Sequence, residues 1–179
     1  MTFLQAIILG LIEGLTEFLP VSSTGHMILA SSAMKLSDRH FVDSFEIAIQ
    51  LGAILAVLFL YFRRFLAGID IYLRLFVAFL PSGIAGFLVY SIIKTYLFNP
   101  AVVSIALIAG GIVLILADKW TEKRKSVYPS SENISYRGAL VVGLMQCLSM
   151  IPGVSSAAAT IFGGLLAGFD RRQATEFSF

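Results

Sequence analysis

Three stretches of the chain, 45–62, 75–93 and 101–117, hold only one charged residue among them, Glu46. A helix needs about 20 mainly apolar residues to cross a bilayer, with roughly 17 to 25 accepted, so each stretch is a spanning helix. With 58% hydrophobic and 13% charged residues, the chain lies far from the soluble average of about 25% charged. Hydrocarbon leaves no solvent for unpaired backbone groups, and apolar runs of this length satisfy them as helices. The expected class is an all-α polytopic membrane protein, with residues 1–179 as one integral membrane domain.

In such a protein charge informs by position. The net charge of +2 gives no reason to expect nucleic acid as a partner. The connector 63–74 holds Arg63, Arg64 and Arg74, and 118–137 holds Lys119, Lys123, Arg124, Lys125 and Arg137, whereas 94–100 holds Lys94 alone. Lys and Arg favour the cytoplasmic side, so the first and third connectors are placed inside and the second outside. No Lys or Arg precedes the first apolar run, which argues against a cleaved signal peptide. Cys147 stands alone and forms no internal disulfide.

Two further apolar regions do not read as simple spans. The segment 3–19 would reach about 25 Å as a helix and 25–34 about 15 Å, so the latter is too short for a core of about 30 Å. Pro20 disfavours helix at Leu19, and Gly25 permits unusual dihedral angles. Residues 3–34 are therefore read as a re-entrant helical hairpin. The uncharged run 138–169 is broken by Pro152-Gly153 and reads as a second one.

The two regions are weakly alike. Gly10-Leu-Ile-Glu13 answers Gly143-Leu-Met-Gln146, Ser22-Ser23 answers Ser155-Ser156 at the same distance, and Phe45-Glu46 answers Glu176-Phe177. Three crossings separate them, so the second hairpin enters from the opposite face. That is an inverted-topology repeat, in which broken helices meet near the midplane and carry the site. The spacings Gly10-x-x-x-Gly14, Ser82-x-x-x-Gly86 and Gly164-x-x-x-Gly168 read as close helix contacts, and a homo-oligomer is left open.

From Met1 to Met34 the only charged residues are Glu13 and Glu17, and an ionisable group at bilayer depth costs roughly 2.5 to 3.5 kcal/mol. Four apart, they share a helix face at about 5 to 6 Å between β-carbons. Such a pair requires either a proton on one carboxyl or a cation between them, for which hard Mg²⁺ or Ca²⁺ is suited. After Pro20, the hydroxyls of Ser22, Ser23 and Thr24 and the backbone around Gly25 are arranged to receive an anion such as phosphate. Ser23 is a nucleophile or a phosphate ligand. His26 takes a proton from Ser23 or from water, or forms a phosphohistidine.

At these residues the chain closely resembles the undecaprenyl pyrophosphate phosphatases of the bacitracin-resistance type. The match Glu-Gly-Leu-Thr-Glu-Phe-Leu-Pro-Val-Ser-Ser-Thr-Gly-His over 13–26 is long and ordered, and likeness continues through 45–52, Phe98-Asn-Pro100, Tyr136-Arg137, Gln146-Cys147 and 176–179. The resemblance implies a multi-pass enzyme of the bacterial inner membrane with its site on the periplasmic side. Its partners would be membrane lipids and a polyprenyl diphosphate, converted to undecaprenyl phosphate and phosphate for peptidoglycan synthesis. It further implies catalytic roles for Glu17, Ser23 and His26, with Glu13 and Glu17 holding a divalent cation, and phosphate binding by Ser22–Gly25 with Ser155 and Ser156.

A different class of membrane lipid phosphatase carries Pro-Ser-Gly-His, which Pro81-Ser82-Gly83-Ile84 does not match. The resembled family's second motif is Pro-Gly-x-Ser-Arg-Ser-Gly-Ala-Thr. Here Ser156, Ala157 and Ala158 stand where that motif has arginine, serine and glycine. An arginine there would give strong charge-assisted bonds to phosphate. Family members also continue through further membrane helices, so the chain reads as a shortened member. A non-catalytic polyprenyl-lipid-binding relative and a small transporter are the alternatives to the phosphatase.

Overall fold

A computed structural model describes residues 1–36, 38–62, 68–121 and 126–179. The described residues fold into helices and connecting turns, with no strand among them. In chain order they are α1 Phe3–Thr16, α2 Ser23–Ala33, α3 Arg39–Leu60, α4 Ile69–Tyr96, α5 Pro100–Thr121, α6 Tyr136–Gln146, α7 Ser156–Ala167 and α8 Arg171–Ser178. The basic residues Arg63, Arg64, Lys123, Arg124 and Lys125, used to orient the chain, lie outside the described residues.

The helices α3, α4 and α5 are long and apolar enough to cross a membrane, and they make this a multi-pass membrane protein. Their 22, 28 and 22 residues correspond to about 33, 42 and 33 Å at 1.5 Å per residue. Each starts earlier than its apolar stretch. In α3 the Asp38 side chain caps Phe41 N at 3.1 Å, and the first turn continues through polar residues. In α4 the helix takes in Asp70 and Arg74 before hydrocarbon begins. Large side chains on these helices point outward, Phe59 being 85% and Phe87 89% exposed, as suits a lipid-facing surface.

The other helices are short. With 14, 11, 11 and 12 residues, α1, α2, α6 and α7 reach only about 16 to 21 Å. Their starts recur in register. Thr2, Ser22 and Asp38 cap α1, α2 and α3, each side chain accepting the backbone N–H three residues on. Ser135, Ser155 and Asp170 do the same for α6, α7 and α8, each 132 or 133 residues later.

The buried core joins α4, α6, α7 and α8 through Ala78, Ala139, Val142, Leu165, Ala174 and Phe177. Phe169, only 1% exposed, lies edge-on to Tyr128 at 5.3 Å between ring centres. Close backbone approach sets this packing. A Cβ on Gly143 would sit 2.0 Å from the Ala78 carbonyl oxygen, and one on Gly163 would sit 2.8 Å from the Val142 Cα. Gly164 likewise meets Ala174 and Phe169, whereas Gly10 and Gly14 have nothing within 4 Å. The expected close contact at 10–14 is therefore not made among the described residues, because that face of α1 turns away from its neighbours.

Candidate functional site

Helix α1 delivers the carboxylates. Glu17 follows its last residue but keeps helical dihedral angles, with its N–H donating to Glu13 O at 2.9 Å. The four-residue spacing therefore holds to the end and puts Glu13 and Glu17 on one face. Ser23, the first residue of α2, donates its hydroxyl to Glu17 Oε2 at 2.5 Å. Glu13 is 2% exposed, and neither of its carboxylate oxygens has a hydrogen-bond partner among the described residues. Glu17, Ser23 and, from α3, the buried Glu46 lie within electrostatic reach of it. A buried carboxylate beside two others is accommodated by a proton or by a positive partner.

Between the helices the chain turns at Ser22, whose φ of 65° is in the left-handed region. The Ser22 hydroxyl accepts from Gly25 N at 3.3 Å, and its carbonyl accepts from His26 Nδ1 at 2.9 Å. A carbonyl oxygen only accepts, so Nδ1 is the nitrogen that donates, and Nε2 is left clear of this bond.

The second turn is built alike at its helix start. Ser155 caps α7 by accepting from Ala158 N at 3.1 Å. Before it, Gly153 adopts a φ of 97°. The two turns touch: a Cβ on Gly25 would lie 3.1 Å from the Gly153 Cα, and one on Gly153 would lie 2.6 Å from the Val103 carbonyl oxygen on α5. Val103 and Ala106 are three and six residues into α5, a depth of about 5 to 9 Å along its axis.

A cavity of about 270 Å³ opens between the turns, lined by Glu17, Ser22, Ser23 and Thr24 from one side and by Ser155 and Ser156 from the other. Gln50 of α3, Ser149 and Phe98 complete the wall with backbone and apolar groups. The starts of α2 and α7 both lie at it, and the first N–H groups of a helix have no partner within the helix. Two such ends facing one cavity favour an anion. Among the described residues no Lys or Arg lines it. Ser156, where the resembled motif has arginine, stands at the first position of α7.

The expected site residues are thus divided. Glu17, Ser22, Ser23, Thr24, Ser155 and Ser156 share the cavity, Glu13 lies buried behind them, and Gly25 forms the contact between the turns. His26 lines a different, larger groove on the far side of the Ser22 turn. Ser149 was not legible beforehand, for it sits in an uncharged run with nothing to distinguish it. Gln50, one helical turn after Glu46, carried a signal in that spacing.

Among the described residues no three His, Cys, Asp or Glu side chains gather closely enough to hold a metal alone. Mg²⁺, however, is commonly held by one or two carboxylates together with substrate phosphates. The two unpartnered oxygens of Glu13 and the adjacent Glu17 fit that kind of ion.

The family described as bacitracin resistance protein BacA matches residues 6–179. Among similar curated proteins, one from Bdellovibrio bacteriovorus is 48% identical over 179 residues, covering 100% of this chain and 68% of the relative. One from Wolinella succinogenes is 52% identical over 180 residues and one from Aquifex aeolicus 48% over 180, each alignment covering 100% of this chain and 70% of the relative. All three bear the name undecaprenyl-diphosphatase.

Proposed function

We infer, from the premise that the chain belongs to the bacitracin resistance protein BacA family, that the cavity between its two turns is where it hydrolyses undecaprenyl diphosphate. The products are undecaprenyl phosphate and phosphate, and the reaction serves cell-wall synthesis by returning the lipid carrier to its monophosphate. The observation that carries the assignment of the site is the Ser23 hydroxyl donating to Glu17 Oε2 at the cavity wall. Glu17 is there placed to take the Ser23 proton as the serine oxygen attacks the terminal phosphorus. The bond to the bridging oxygen breaks, and undecaprenyl phosphate leaves. Water then releases phosphate from Ser23.

The other groups bind. Thr24, Ser155 and Ser156 line the cavity and offer hydroxyls and helix-start N–H groups to the phosphate oxygens, with Ser22 holding the turn. Glu13 and Glu17 would hold a divalent cation, Mg²⁺ or Ca²⁺, whose charge offsets that of the diphosphate when bound. His26, held by Ser22, opens into the groove behind the turn, from which its Nε2 would serve as acid or base by way of an intervening water.

In this reading α1–α2 and α6–α7 are two re-entrant hairpins of an inverted repeat. Helices too short to cross and six caps in register support it. The site then faces the periplasm, at the side of the 97–99 connection, in a chain whose residues 1–179 form one membrane domain.

The test is phosphate release from farnesyl diphosphate by purified protein, with and without Mg²⁺, beside Glu17→Ala. Release that depends on Mg²⁺ and falls to background in the variant is expected. Equal release by Glu17→Ala would remove this cavity from the reaction.

A further inference from the structure

From Ile47 to Leu60, helix α3 carries one polar side chain, Gln50. It stands about 17 Å along the helix from Arg39 at 1.5 Å per residue, and at such depth an amide is costly unless something meets its hydrogen bonds. From Phe45 onward the less exposed positions of α3 are Phe45, Glu46, Ile49, Gln50, Ala53 and Val57, a stripe at helical period. That stripe brings Glu46 within electrostatic reach of Glu13 and Gln50 to the wall of the cavity of about 270 Å³. There the Gln50 amide makes no hydrogen bond among the described residues. Other lining groups are already committed. Ser23 donates to Glu17, and Ser149 donates to the Gln146 carbonyl at 2.7 Å.

We propose that Gln50 is a substrate-binding residue, its side-chain amide donating to an oxygen of the terminal phosphate and holding that phosphate against Ser23. The inference rests on the phosphatase reading for its ligand but adds a third helix to the site. Ionised phosphate oxygens accept hydrogen bonds, so whatever meets them must donate. With no Lys or Arg among the described lining residues, neutral donors carry that task, and an amide brings two N–H groups on one side chain. Helix α3 packs on α1, which delivers Glu17, and this puts Gln50 on the Ser23 side of the cavity. It is therefore the phosphate under attack that Gln50 meets. The two helix starts supply backbone donors, and Gln50 supplies a donor from a wall that no helix start reaches.

Gln50→Leu keeps most of the bulk and removes both hydrogen-bonding ends, while Gln50→Glu keeps the shape and sets a carboxylate against the phosphate. For Gln50→Leu, KM for farnesyl diphosphate should rise about tenfold or more with little change in kcat, the pattern of a lost bond to a charged group that binds substrate and transition state alike. Gln50→Glu should raise KM further. Inorganic phosphate, the product cut from the terminal position, should inhibit Gln50→Leu more weakly by the same factor. An unchanged KM, or a KM that rises while inhibition by phosphate stays as in the parent, overturns the assignment. So does a fall in kcat alone together with a lower unfolding midpoint in detergent, the mark of a packing role. A second arm needs no turnover: isothermal titration with the methylene-bridged analogue of farnesyl diphosphate and Mg²⁺ should show binding weakened about tenfold in Gln50→Leu, and equal binding overturns the proposal as well. Binding that Gln50→Leu weakens, in a parent that releases no phosphate, would instead sink the phosphatase reading and leave Gln50 as a phosphate ligand.

Discussion

Ser22 combines two demands that no single substitution meets. Its φ of 65° is a conformation that glycine adopts freely and other residues reluctantly, while its hydroxyl caps Gly25 N. Ser22→Gly gives up the cap, at a cost of a few tenths of a kcal/mol, and relieves the backbone, whereas Ser22→Ala loses the cap and keeps the strain, at about 1 kcal/mol or more. Thermal unfolding in detergent should therefore rank parent and Ser22→Gly together, above Ser22→Ala; equal losses would mean that the dihedral angle is not what the turn requires. At the reacting pair, Ser23→Ala and Glu17→Gln should each lower kcat by about 10² to 10⁴. The double variant should be little worse than either, as for residues that act as one unit, and additive losses would separate their roles. Ser156→Arg tests a cation in the cavity: a charge-assisted bond worth about 1.5 to 3 kcal/mol should lower KM roughly tenfold or more, read from phosphate release, and an unchanged KM would mean that the first position of α7 does not face the phosphate. The Glu13, Glu17 and Ser23 grouping was legible because helical period and a proline-bounded turn are local facts. That His26 opens on the other side was not, since it depends on how α2 is rotated against α5.

Among the elements, packing by backbone contact makes a sharper claim than hydrophobicity does. Helices α4 and α6 meet where Gly143 faces the Ala78 carbonyl, with no room for a Cβ at 2.0 Å. Gly143→Ala must push α6 off α4, and overpacking of this kind costs typically about 1 to 3 kcal/mol. Gly10→Ala, at the corresponding place in α1, meets nothing within 4 Å and should leave the unfolding midpoint at or slightly above that of the parent. A matching loss in both would point to helix propensity or lipid contact in place of the α4 contact. The spacing rule expected a close contact at Gly10 and none at Gly143, the reverse of what is found, because it sees only one helix at a time. The sequence pattern located the three long helices through their apolar runs but put their starts too late. Asp38 and Gly68 cap α3 and α4 ahead of the hydrocarbon, and polar first turns carry no hydropathy signal. Helix α8, with two arginines in its first turn, was passed over for the same reason.

On the scale of the whole molecule, the site's depth and the chain's orientation depend on each other. The turns meet α5 at Val103 and Ala106, about 5 to 9 Å from the helix start, so the cavity lies in the half of the membrane nearer the connection 97–99. In the proposed orientation the basic connectors decide which half that is. Lys and Arg crowd 63–74 and 118–137, while 94–100 holds only Lys94, and the bias places the crowded connectors in the cytoplasm. The periplasmic site proposed from the family resemblance requires the same orientation. Single cysteines in a Cys147→Ser background separate the alternatives. Tyr96, exposed at the end of α4, and Pro129, exposed in the connection before α6, lie at opposite ends of this arrangement. In cells with a permeabilised outer membrane, a membrane-impermeant maleimide should modify Tyr96→Cys at once and Pro129→Cys only after lysis. The reverse pattern would put the cavity on the cytoplasmic side, where a diphosphate left at the periplasmic face could not reach it without first crossing the membrane.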